Sequence, residues 1–422
     1  MGATCCKQEE VDFTGEVELS HFYLLRVIGK GAFGKVRIVQ HKQTLCEYAL
    51  KYISKERAIE LQATNNIIAE RRLLQRIEYP LIVNLRYAFH DEANLFMVLD
   101  LMLGGDLRFH LDRQGALSEL QVRFYVADIA LALYYLHQRR IAHRDIKPDN
   151  ILLDSKGHAH LSDFNVATQF DDARPLRWSC AGSLAYMAPE ILAEKGYNTT
   201  VDWWSLGILA YELLFDKRPF TGTTSDELKQ AILQNSFMFP ENVEDQVSQA
   251  CIDFISGLLV KSPFHRLGCG ENGFEDLKNH PWFDGLDWRA METKEAIPPF
   301  MPNPEEMNFD AVHELEELLL EEAPLRPRKR SVKPVIELSS PLTRDQKERQ
   351  LMDDKFLPFD YTKDTLSPYT HTKIEAPRLF RRVGDVITNH YDQSRYRAQG
   401  YERTDNQEQV ELIPCDMHDK QA

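Results

Sequence analysis

The sequence predicts an α+β chain in two lobes, a small β-rich lobe with one main helix and a larger helical lobe behind it. Three observations carry this reading. Strand-like text fills the stretch from Phe22 to about Tyr52, a second strand pair follows in residues 83–102, and from residue 119 the apolar pattern becomes helical.

Each element has its own justification. "HFYLLRVI", "KVRIVQ" and "CEYALKYI" are rich in β-branched and aromatic residues, with a glycine-rich turn between the first two, and read as an antiparallel meander. "NNIIAERRLLQRI" places Ile67, Leu73, Leu74 and Ile77 on one helical face with Glu70 inside the same stripe. An acid facing a core needs a partner. "VNLRYAFHDEANLFMVLDLM" supplies two more strands, and "ELQVRFYVADIALALYYLHQRR" a long helix. "VDWWSLGILAYELLF" is apolar almost all round, which marks a buried central helix. After "NHPWF" the text turns Pro-rich and acidic ("IPPFMPNPEE", "ELEELLLEEAP") and then basic ("RPRKRSVK"). This reads as an ordered tail wrapping the lobes, followed by polar sequence.

The totals narrow the function. With 422 residues, 43% of them hydrophobic and 27% charged, the chain has room for a two-lobed unit of roughly 250 to 280 residues plus extensions. A formal charge of -15 argues against non-specific nucleic-acid binding and favours cationic partners wherever acids cluster. The seven cysteines are odd in number and, apart from Cys5 and Cys6, scattered, so a disulfide framework is not expected and a reducing, cytoplasmic setting fits. No apolar run is long enough to span a membrane. The opening "MGATCCK" leaves two readings: Gly2 is myristoylated and Cys5 and Cys6 palmitoylated, giving peripheral membrane contact, or the start is unmodified, because Cys6 stands where the myristoylation pattern wants Ser or Thr.

Four motifs carry chemistry. "GKGAFGKV" sets Gly29, Gly31, Gly34 and Val36 between two strands rather than before a helix, so Ile28, Lys30, Ala32, Phe33 and Lys35 complete either a lid over ATP phosphates or a plain glycine-rich hairpin. Fifteen residues after Val36, Lys51 of "YALK" either snorkels to the surface or pairs with Glu70. In "HRDIKPDN", Asp145 can accept a hydroxyl proton, Lys147 can neutralise a moving phosphoryl group and Asn150 can ligate Mg2+. Asp163, thirteen residues on, offers the harder carboxylate ligand. Glu190 of "APE" has a candidate buried partner in Arg266 of "SPFHRLG".

With these in order, residues 22–283 resemble a eukaryotic protein kinase catalytic domain, and the lysine of "HRDIKPDN" resembles the Ser/Thr type. "MLGGDLRFHL", "VDWWSLG" and "PPFMPNPEEMNFD" resemble the AGC group, and "SDFNVAT", "MGA" and "ELEELLLE" resemble its YANK-type kinases. The resemblance implies a bilobal protein kinase-like fold, Mg2+ and ATP, transfer to Ser/Thr of protein substrates, and a monomer. It divides the chain into a 1–21 extension, a 22–283 catalytic domain, a 284–365 AGC-type tail and a flexible 366–422 extension. It implies that Asp100, Met102 and Asp106 line the nucleotide site, and that Lys51 with Glu70 clamps the α and β phosphates. It makes Ser179 a regulatory phosphosite facing Arg144, with Ser183 bonded near Asp145 and Lys147. It makes Phe356 and Phe359 anchors of a docked hydrophobic motif with Asp360 in the slot of a phosphorylated residue, and Ser340 before Pro341 a turn phosphosite, unless this tail is simply disordered. Asp106, Asp149 and Glu212 match acids that receive arginines ahead of the acceptor, and Cys180, Leu184 and Met187 an apolar pocket after it, so basic-directed substrates are expected. Asn165 stands where the metal-binding segment has glycine; asparagine is the next most tolerant residue of left-handed backbone, so an active enzyme is expected, with a catalytically silent scaffold as the alternative.

Overall fold

The computed structural model describes residues 11–30, 34–270, 272–303, 308, 325 and 343–363. Gly2, Cys5, Cys6, Gly31, Ala32, Phe33, Ser340, Pro341 and the 366–422 extension lie outside the described residues.

The small lobe is built on an antiparallel sheet. Its strands are β1 (Phe22–Lys30), β2 (Gly34–His41), β3 (Glu47–Ser54), β4 (Leu85–His90) and β5 (Asn94–Leu99), with α1 (Lys55–Glu60) and α2 (Thr64–Leu74) between β3 and β4. All five follow the expected order. Gly34 opens β2 because a Cβ there would lie 2.0 Å from the Tyr52 carbonyl oxygen. Alternation along the strands sends Phe22, Val39, Leu50, Phe96 and Val98 to one face, where Val17 and Leu19 cover them, while Ile53, Leu95 and Met97 face α2.

The large lobe is helical: α3 (Leu107–Gln114), α4 (Glu119–Gln138), α5 (Pro189–Leu192), α6 (Val201–Phe215), α7 (Ser225–Gln234), α8 (Gln249–Leu258), α9 (Phe274–Lys278) and α10 (Trp288–Glu292). Between α4 and α5 lie two short hairpin pairs, β6 (Ile141–Ala142) with β9 (Thr168–Gln169) and β7 (Ile151–Leu153) with β8 (Ala159–Leu161). A capping box of Ser118 and Gln121 starts α4. Every residue of α6 is buried, its mostly apolar text and its few polar residues, Asp202, Ser205 and Glu212, alike.

The tail returns to both lobes. Its backbone passes so close to the link between them that a Cβ on Gly105 would meet the Asn308 carbonyl oxygen at 2.0 Å. Farther on, α11 (Arg344–Lys355), opened by a Thr343–Gln346 capping box, leads into β10 (Phe359–Asp360). That strand joins the edge of β4, with Phe359 opposite Ala88, and makes the sheet six-stranded in the order β1-β2-β3-β5-β4-β10. The tail also alters the reading of α2. Ile67 and Leu74 are buried as expected, but Leu73 is only half-buried, while Ile68 and Arg71 are buried, because the tail covers a second side of the helix.

Candidate active site

Lys51 and Glu70 meet across the small lobe. Lys51 Nζ donates to Glu70 Oε1 at 2.7 Å and to Asp163 Oδ1 at 3.2 Å, so one ammonium ties β3, α2 and the metal-binding segment together. Burial works against its charge, but the carboxylates of Glu70 and Asp163 outweigh burial and hold the Lys51 pKa above the ordinary lysine value. The surface-snorkelling alternative therefore falls away: Lys51 points inward to an ion pair.

The "HRDIKPDN" loop is fixed from beneath. Asp202, buried in the first turn of α6, accepts His137 Nε2 at 2.9 Å, the His143 backbone N–H at 2.9 Å and that of Arg144 at 2.8 Å. These bonds hold Arg144 in left-handed backbone, φ 70°. Burial alone would raise the Asp202 carboxyl; its partners, His137 first, hold it below the usual carboxylate range. Sequence reading missed this residue. An acid inside otherwise continuous apolar text was the available signal.

Within the loop, Lys147 Nζ lies 2.8 Å from Asp145 Oδ2 and donates to Ser183 Oγ at 2.9 Å, and the Ser183 N–H donates to Asp145 Oδ1 at 2.9 Å. Ser183 thus sits beside Asp145 and Lys147, as the sequence suggested. Burial would raise the Asp145 pKa, yet Lys147 and Ser183 lower it further, so the carboxylate is ionised at neutral pH. Asn150 Nδ2 donates to both Asp145 O and Asp145 Oδ2, each at 2.8 Å. Its amide oxygen is the atom left for a cation. With Asp163 about a third exposed, the donor set is oxygen only, which fits hard Mg2+.

The odd residue is placed differently from expectation. Left-handed backbone falls at Asp163, φ 57°, and Asn165 is not among the described residues that adopt it. Tolerance of positive φ is therefore not why asparagine fits. Phe164 is buried edge-on to His143, and Asn165 Oδ1 is buried without a hydrogen-bond partner.

Three more of the expected residues have local partners. The Asp100 carboxylate accepts Arg86 Nε at 2.6 Å and Asn84 Nδ2 at 2.9 Å, so its side chain braces the interlobe link. Asp106 caps α3 through the Phe109 N–H at 2.7 Å. Asp360 closes its own turn, accepting the Thr362 N–H at 3.0 Å and hydroxyl at 2.7 Å, with Lys363 at 3.6 Å. Two residues of spacing make that local ring shorter than any reach to a small-lobe cation.

Further contacts join residues the sequence singled out with others it did not. Arg144 Nη1 donates to the exposed Ser179 hydroxyl at 3.1 Å. Arg266 grips Glu190 with two parallel bonds of 2.7 and 2.9 Å, both side chains buried. Phe356 is fully buried and Phe359 nearly so, and Arg71 Nη2 donates to the Leu357 carbonyl at 2.6 Å. Buried Lys55 reaches Asp353 of α11 at 2.5 Å. Cys180 and Met187 sulfurs lie 3.6 Å apart beside half-buried Leu184.

Glu212 holds a partner that sequence reading did not foresee. Arg108, the second residue of α3, donates from Nη2 to Glu212 Oε1 at 2.9 Å, and its Nε lies 3.7 Å from Asp149 Oδ2. Among the described residues no helix is long and apolar enough to cross a membrane.

Comparison with known proteins agrees with this geometry. The family described as protein kinase domain matches residues 22–283. Human serine/threonine-protein kinase 32C is 42% identical over 335 residues, covering 78% of this chain and 68% of that protein. Human serine/threonine-protein kinase 32B is 42% identical over 330 residues, 76% of this chain and 77% of its own. Serine/threonine-protein kinase gad8 of Schizosaccharomyces pombe is 39% identical over 295 residues, 69% of this chain and 51% of its own. The chain belongs to the protein kinase family, as a serine/threonine kinase of the AGC group.

Proposed function

We propose that the chain transfers the γ-phosphoryl group of ATP to serine or threonine hydroxyls of protein substrates, with each site residue in the role its geometry supports. The observation that carries this is the single Lys51 ammonium shared between Glu70 and Asp163, together with the hydrogen-bonded Asp145–Lys147–Asn150 cluster. Lys51 holds the α and β phosphates. Asp145 orients the acceptor hydroxyl and takes its proton as the new O–P bond forms and the bond to the ADP oxygen breaks. Lys147 balances charge on the phosphoryl group in transit. Asn150 and Asp163 are the residues that would hold Mg2+, which supplies charge neutralisation at the phosphates when bound. Ile28, Gly29 and Gly34 to Val36, at the paired ends of β1 and β2, support a phosphate lid, and the link bearing Asp100 and Met102 supports the base. Ser179, already within reach of Arg144, is the activating phosphosite.

The preference for basic substrates is assigned to Asp106 and Asp149, because Glu212 already pairs with Arg108. The protein acts as a cytoplasmic monomer, brought to membranes by acyl chains on Gly2, Cys5 and Cys6. An intact mass of the N-terminal peptide from native cells at the unmodified value rejects the acylation. Incorporation of radiolabelled phosphate into a serine peptide, beside an Asp163→Ala control, tests the activity; incorporation no higher than the control rejects it.

A further inference from the structure

We propose that Arg108 is a specificity-determining residue: it fills the acidic pocket around Glu212, so the enzyme does not select an arginine at the substrate position that would otherwise reach that pocket. The inference rests on the kinase reading above.

Glu212 is the buried member of the acidic set, and both of its oxygens are taken. Oε1 accepts Arg108 Nη2 at 2.9 Å, and Oε2 accepts the Tyr186 hydroxyl. The same Arg108 nitrogen lies 3.2 Å from the Tyr186 oxygen, and the guanidinium edges lie 3.7 Å from Asp149 Oδ2 and 3.7 Å from Asp112 Oδ1. Asp106 spends one oxygen on the α3 N-terminus. Burial works against the charge on Arg108, but Glu212 outweighs burial and keeps the guanidinium protonated at any working pH. The chain therefore places its own arginine side chain against the acid that the resemblance assigns to a substrate's arginine. An incoming guanidinium would have to break a partly buried, charge-assisted bond and stand against a like charge. Arg108 is 29% exposed at its side chain, which puts it at the cleft surface rather than in the core. A neutral side chain meets no such repulsion.

The test walks one arginine through each position ahead of the serine in a peptide set. It reads kcat/KM for arginine relative to alanine at that position, a ratio that does not depend on the fraction of enzyme that is folded. At the one position that reaches Glu212 the wild type is expected to show a ratio within about twofold, and Arg108→Ala to gain about tenfold there, the scale of one hydrogen bond to a charged group. The gain should vanish in the Arg108→Ala, Glu212→Gln double variant. Arg108→Gln, which keeps a donor for Glu212, is run alongside in case alanine does not fold. An active Arg108 variant with no gain for arginine at any position overturns the proposal. A wild type that phosphorylates no peptide overturns the kinase reading itself, and this proposal with it.

Discussion

Replacing Asp202 by asparagine should cost more than any surface change in the large lobe, because three donors converge on one buried carboxylate. Oδ2 accepts from His137 and His143, and Oδ1 from the Arg144 N–H. Asparagine has one oxygen. If that oxygen takes the Oδ2 place, its NH2 is set against the Arg144 N–H; if it takes the Oδ1 place, two donors lose their acceptor. Either way at least one charge-assisted bond is lost, about 1.5 to 3 kcal/mol, and at least one buried donor is orphaned, about 1 to 3 kcal/mol. The sum is roughly 2.5 to 6 kcal/mol, or a fall in Tm of about 5 to 24 °C for a domain of this size. The loss should reach the site, since the carboxylate holds the backbone N–H of both His143 and Arg144, and either loss loosens the loop that carries Asp145. Thermal unfolding and steady-state kinetics measure the two effects. A Tm within 2 °C of wild type, by the same scale less than about 1 kcal/mol, with kcat unchanged would refute the reasoning. The pH dependence has a matching sign. The folded-state Asp202 pKa is depressed, so its contribution is complete above the ordinary carboxylate value and is lost as the pH falls from there through the folded value.

Phe356→Ala should destabilise by about 3 kcal/mol or more, as for a core aromatic, and lower kcat because the tail steadies the helix that carries Glu70; differential scanning calorimetry and a turnover assay check both. Arg266→Met should cost about 3 to 5 kcal/mol by leaving Glu190 charged and buried, read from chemical denaturation, and a loss under 1 kcal/mol would contradict the pair's assigned weight. Asn165→Gly should stay within about 1 kcal/mol of wild type and keep Mg2+-dependent turnover, since it removes an unbonded buried oxygen at the expense of added chain entropy; a large loss of activity would reveal a role for the amide.

Much of the fold was legible because its periods are strong. The five small-lobe strands, the largely apolar α6 and the acid in the α2 stripe each follow from local pattern, and the Lys51–Glu70 and Arg266–Glu190 pairs from the rule that buried charge seeks a partner. What was not legible depends on encounters between distant segments. β10 is two residues long and exists only because β4 offers it an edge. Leu73 yields to Arg71 on α2 because the tail supplies a second packing surface. Arg108 and Glu212 are separated by 104 residues, and nothing near either announces the other. At Asn165 the sequence suggested a backbone reason, whereas the left-handed residue is its neighbour Asp163, two places earlier. A residue's chemical type shows what it tolerates, and only its neighbours show what it is asked to do.

The central claim is that the Lys51, Asp145 and Asp163 cluster performs magnesium-dependent phosphoryl transfer to a hydroxyl. The most direct measurement is phosphate incorporation into a serine peptide by the purified full chain, with Mg2+ and with chelator, beside Asp145→Asn and Asp163→Ala. Incorporation by the wild type with Mg2+, falling by a hundredfold or more in either variant, roughly the scale of removing a general base or a metal ligand, is the predicted result. Equal incorporation by the wild type and both variants would contradict it.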